Sequence, residues 1–160
     1  MAAIETAKVN DRRQLHFSTL EDILAEVDRL AQAKELRALG NWSAGQVLQH
    51  LAVVMNVSID GFPHHLPGIV RFFVRLVFKK RFLTMPMSAG FALPKKLEAF
   101  LPPPTTWEEG LANFRAALRR LQSESKRAPH GALGPMTADE WTQLHCRHSE
   151  LHLSFLVPLT

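Results

Sequence analysis

Tyrosine is absent from this chain and cysteine occurs once, at Cys146. A single thiol excludes an internal disulfide, which suits a reducing cytosol without requiring one. The lack of tyrosine removes one side chain often used as a general acid or base. Long uninterrupted apolar runs are missing too. The N-terminal stretch MAAIETAKVNDRRQLHF holds no apolar core of signal-peptide length. The most apolar segment, Leu66 to Leu83, is broken by Arg71, Arg75, Lys79, Lys80 and Arg81, which argues against a transmembrane span. Neither alternating β-branched runs nor an internal repeat is visible. These absences predict a soluble, cytoplasmic protein.

What is present reads as one globular domain over residues 1–160, with 46% hydrophobic and 21% charged residues. The net charge of +4 is local rather than general. Its source is the basic cluster from Arg71 to Arg81, which contains no acid; elsewhere the charges nearly balance, so a nucleic-acid-binding surface is not expected.

Four segments have helical periodicity and start signals. The first opens at Ser18 with Glu21 as capping-box partner; Ile23, Val27, Leu30 and the stem of Lys34 form its stripe, and Gly40 is expected as a left-handed C-cap. The second opens at Ser43 with Gln46. Val47, His50, Leu51 and Val54 follow three-four spacing, and Gly61 and Pro63 end the segment. The third starts at Thr105 or Thr106, with Glu108 and Glu109 in the first turn and Trp107, Leu111, Phe114, Leu118 and Leu121 facing the core. The fourth starts at the Thr137–Glu140 box and is expected to run to about Val157. Between the second and third, Pro67 and IVRFFVRLVFKKRF suit an amphipathic helix, whereas the prolines from Thr84 to Pro104 predict a non-helical connection. The pattern predicts an all-α four-helix bundle with a long elaborated crossover between its second and third helices.

Eight histidines are present, and their positions matter more than their number. His148 and His152 are four apart, so on a helix they share a face about one turn apart. Trp141, Leu144, His148, Leu151, His152 and Phe155 fall in one inward stripe. His145 lies at its edge and reads as a supporting or surface group. Cys146 points away from His148 and reads as a packed thiol. An inward His50 on one helix and an inward pair on another could supply three nitrogen ligands in a bundle core. On spacing alone they could equally be buried neutral histidines bonded to backbone or to one another.

At these residues the chain resembles the DinB-like (YfiT-related) superfamily of metal-dependent enzymes, and within it a largely uncharacterised branch. Asn41-Trp42-Ser43 leading into Gln46-Val47-Leu48-Gln49-His50-Leu51-Ala52 is similar to the family's N-terminal motif. The stretch from His130 to Trp141, followed by His148-x-x-x-His152, is similar to its C-terminal motif. The resemblance implies a four-helix bundle binding a divalent metal ion through His50, His148 and His152, and a homodimer. It also implies a class containing thiol-dependent S-transferases, an isomerase and hydrolase-like proteins. Relatives often carry His before the last ligand and Gln three residues after it; here Leu151 and Phe155 stand there.

Three imidazoles without a carboxylate suit zinc or nickel, with iron and manganese as further options, and leave positions open for a small-molecule substrate. No catalytic residue is identified. Asp60, His64 and His65 are the nearest candidates for a general base, each with an ordinary loop or helix-end reading beside it; His130 reads as shaping the bundle's mouth. The competing function is a non-catalytic metal-binding or interaction module, with segment 69–82 contacting an anionic surface or partner. The plainer reading of that segment packs its apolar face on the bundle or across a dimer and leaves its cations in solvent.

Overall fold

The computed structural model describes residues 3–90 and 100–159. Among these the chain is predominantly helical, with five α-helices and a two-stranded sheet: α1 (Leu20–Ala31), β1 (Glu35–Ala38), α2 (Ala44–Asp60), α3 (Gly68–Thr84), α4 (Trp107–Ser123), α5 (Ala138–Leu153) and β2 (Leu156–Leu159). Capping boxes at Ser43–Gln46, Thr106–Glu109 and Thr137–Glu140 start α2, α4 and α5. Each satisfies two otherwise orphaned backbone donors reciprocally.

The start of α1 differs from the expectation by one residue. Thr19 is the cap and Asp22 its partner, and the Asp22 carboxylate accepts from the backbone N–H groups of both Ser18 and Thr19. Gly40 is not a C-cap either: α1 closes at Gln32 in a right-handed conformation, and Lys34 is exposed beyond its end. What Gly40 provides is room, because a Cβ there would press on the Phe155 ring.

The main core draws Ile23, Val27 and Leu30 from α1, Leu48, Leu51, Met55 and Ile59 from α2, Phe114, Leu118 and Leu121 from α4, and Leu153 from α5. α2 and α4 make the closest helix pair, at crossed glycines. A Cβ on Gly110 would strike the Gly45 carbonyl, and one on Gly45 would strike the backbone of Thr105 and Thr106. A smaller cluster of Leu83, Trp141 and Leu144 joins the end of α3 to α5.

α5 ends at Leu153, four residues before the expected Val157. The chain then turns through Ser154 and Phe155 into β2, which pairs antiparallel with β1 in the register Glu35↔Leu159 to Ala38↔Leu156. Val157 and Pro158 are thus extended, and a two-stranded ladder has only edges, where proline's missing donor is tolerated. Of the connection expected over 84–104, residues 91–99 lie outside the described residues.

α3 forms as its amphipathic pattern predicts, yet its orientation differs from the plainer expectation. Lys79 turns towards the body and pairs with Glu140 of α5 at 2.5 Å, and the aliphatic part of Arg71 lies against Gly134. Ile69, Phe72, Phe73, Leu76 and Val77 are exposed rather than packed on the core.

Candidate metal centre

His50 lies in the middle of α2 and His148 and His152 near the end of α5, and the packing of these helices points all three rings at one another. Nε2 of His50 is 3.2 Å from Nε2 of His148, which is 3.0 Å from Nε2 of His152. One ligand nitrogen from each ring lies within 4.8 Å of the others, and no carboxylate belongs to this group among the described residues. His50 is buried; the other two are half-buried.

The tautomer of His50 follows from its other nitrogen. Nδ1 is 2.8 Å from the carbonyl oxygen of Phe100, which can only accept, so Nδ1–H donates and Nε2 presents a lone pair. Burial holds the His50 pKa below its usual value, partly offset by that hydrogen bond. His148 and His152 are pushed well below theirs, first by burial and then by neighbouring imidazoles. All three rings are therefore neutral at pH 7, the form that binds metal.

Protons alone serve this arrangement poorly. Each ring nitrogen has a single in-plane position, occupied either by a hydrogen or by a lone pair. If His148 donates from Nε2 to His50, that same atom cannot accept from His152. A divalent cation satisfies all three lone pairs at once. Zinc–nitrogen bonds of about 2.0–2.1 Å in a tetrahedral site would separate the nitrogens by roughly 3.3 Å. The His50–His148 and His148–His152 separations lie close to that and the third pair lies within 4.8 Å, so the donor set fits the ion. Three neutral ligands leave the cation's charge intact and at least one position free.

Trp42 completes one wall. Its indole stacks on His152, with centroids 5.4 Å apart and planes 12° apart, and lies 4.9 Å from the His50 ring. It was not expected at the site from the sequence, although its place just before the Ser43 cap puts it at the start of the helix that carries His50. The Phe100 carbonyl had no sequence signal at all.

The remaining candidates lie elsewhere. Asp60 is the last residue of α2, about 15 Å along the axis from His50 at 1.5 Å per residue, and both its oxygens are held by Arg120. His64 and His65 are exposed in the loop after α2. His145 is buried rather than on the surface, with Nε2 3.1 Å from Ser58 Oγ, and burial pushes its pKa down to about 3. His130 closes a turn: its Nδ1 accepts from the N–H groups of Ala132 and Leu133, its ring packs against Phe62 and Trp141, and burial lowers its pKa to about 4.

Cys146 is a packed thiol, as expected, its pKa raised to about 11 by burial. Leu151 stays on α5, half-buried. Phe155 lies beyond the helix, with the Arg12 guanidinium 4.9 Å from its ring centroid and Gly40 beside it.

Residues 9–159 match the family described as protein of unknown function (DUF1569). The chain belongs to this family. The DUF1569 match spans the three clustered histidines and every helix and strand described above. No curated protein and no solved structure gives a significant match to the chain.

Proposed function

We propose that this DUF1569 chain holds a divalent metal ion, zinc or nickel, on His50, His148 and His152 in a four-helix bundle of the DinB-like kind, and that the site acts on a small-molecule substrate. The observation that carries the reading is the convergence of three Nε2 atoms, one of them fixed as a lone pair by the Phe100 carbonyl. When bound, the ion would supply Lewis acidity to a substrate at its open position, the chemistry of a metal-dependent thiol transferase or hydrolase.

The chain's own residues orient and shield. Phe100 fixes the His50 tautomer, and Trp42 holds the His152 ring and covers one side. The aromatic and aliphatic surroundings lower the local dielectric, which strengthens any interaction with a charged substrate. No carboxylate or tyrosine stands ready as a base among the residues placed at the site, so a substrate's proton would have to leave to solvent. A thiol whose pKa a bound ion lowered would release its proton in that way and remain as the thiolate.

Elemental analysis of protein purified with zinc or nickel available tests the metal. About one ion per chain is expected for the wild type, and substantially less for His50→Ala and His148→Ala. A wild-type chain without stoichiometric metal would overturn the proposal. With metal present, turnover of small thiols with electrophilic acceptors separates a transferase from a non-catalytic metal-binding protein.

A further inference from the structure

α3 turns its most apolar side away from the protein. Ile69, Phe72, Phe73, Leu76 and Val77 recur at three-four spacing along one stripe, and Ile69 and Leu76 are 71% and 70% exposed. A continuous patch of this kind marks an interaction surface. Its borders are cationic: Arg75, Lys80 and Arg81 are exposed, Lys79 is tied to Glu140, and no carboxylate occurs anywhere on α3. A groove of about 470 Å³ opens beside the stripe between α3 and α5, where Phe72, Leu76 and Leu83 stand next to Arg75, Lys79 and Lys80. Apolar and cationic groups therefore meet along one edge.

We infer that α3 docks in the plane of an anionic lipid membrane surface, with its phenylalanine-rich stripe among the upper acyl chains and its arginines and lysines against headgroup phosphates. Charge complementarity selects this occupant. An interfacial helix needs an apolar face flanked by Lys and Arg, and α3 has both. Crossing the bilayer is not implied, since no described helix is long and apolar enough to do so. A second copy of the chain fits less well. Across a two-fold axis the cations of both copies would enter the shared interface with no acid on α3 to pair with them. α3 also exposes only eight large apolar side chains in all, against the 20–30 residues a side of a standard-size interface.

Co-sedimentation of the full-length protein with phosphatidylcholine vesicles, with and without phosphatidylserine, tests this. Binding is expected only to the anionic vesicles and should fall as salt is raised. Lys80→Gln and Arg81→Gln should each weaken it about fivefold. Phe73→Ser with Leu76→Ser should weaken it at least tenfold while the far-ultraviolet circular dichroism stays unchanged, because both side chains are already in solvent. Two results would overturn the inference: equal binding to both vesicles, or binding to neither, in which case a concentration-dependent dimer that Leu76→Ser dissociates would assign the face to a second copy. Neither depends on the metal, so this docking and the proposed metal chemistry can fail separately.

Discussion

Nδ1 of His50 donates to the carbonyl oxygen of Phe100 across 2.8 Å, and this bond decides what the opposite face of the ring can do. A backbone carbonyl cannot titrate or rotate its function away. It therefore commits the imidazole to one tautomer and leaves Nε2 a permanent acceptor, aimed at His148 and His152. In metal sites such a partner orients the ligand and raises its basicity.

Zinc should stabilise the fold through these rings. At free zinc a hundredfold above Kd, linkage gives about 2.7 kcal/mol, an upward Tm shift of roughly 5–10 °C for a chain of this size. Differential scanning calorimetry of the wild type with zinc and with chelator should show the shift; His50→Ala should abolish it. An equal shift in that variant would place the ion elsewhere.

Trp42→Ala should loosen the centre without removing a ligand. Loss of the indole that stacks on His152 is expected to weaken zinc affinity about tenfold, measured by competition with a chromophoric chelator. Trp42→Phe retains a stacking ring and should recover most of the loss.

Acid should destabilise the protein through His130 and His145. Their folded-state pKa values are depressed to about 4 and about 3 by burial, whereas the unfolded chain takes up protons near pH 6.5. Their contribution is thus complete above pH 6.5 and is lost as pH falls through the folded values. Between pH 6.5 and 4.5 the cost is roughly 2–3 kcal/mol for each ring. Urea titrations from pH 7 to 4.5 should give a shallower decline for His130→Gln than for the wild type. Parallel declines would mean that this ring is not kept neutral in the fold.

Gly110→Ala should destabilise by about 1–3 kcal/mol or more, because the added methyl meets the Gly45 backbone on the facing helix and no rotamer can relieve it. Gly68→Ala is the control. Nothing lies near its Cβ position, so its stability in urea should be unchanged or slightly raised by better helix propensity.

Where local chemistry decides, the sequence was readable. The capping boxes at Ser43 and Thr137 each start a helix because side chain and backbone satisfy one another within four residues; of the two threonines left open for α4, Thr106 is the cap, with Glu109 as its partner. At α1 two overlapping frames competed, Ser18–Glu21 and Thr19–Asp22, and Asp22 prevailed by accepting from two backbone donors. The inward phase of His50, His148 and His152 also followed from helical geometry. What pattern alone could not supply was pairing at a distance. β1 and β2 are four residues each and unremarkable singly, and the Phe100 carbonyl reaches His50 from a proline-rich stretch without periodicity. The outward face of α3 was illegible for the same reason. Its apolar and basic stripes are both plain in the sequence, but which of them meets the body depends on Glu140, far along the chain.

The short ladder between β1 and β2 has a consequence for how the three nitrogens come together. β1 leads into α2 through five residues, and β2 leaves α5 after two. The ladder therefore cinches the start of one ligand-bearing helix to the end of the other. Residues more than a hundred positions apart lose their freedom when these strands zip. A cation bound as proposed would meet a cradle that the ladder had already drawn shut, and its capture would require little further ordering of the chain.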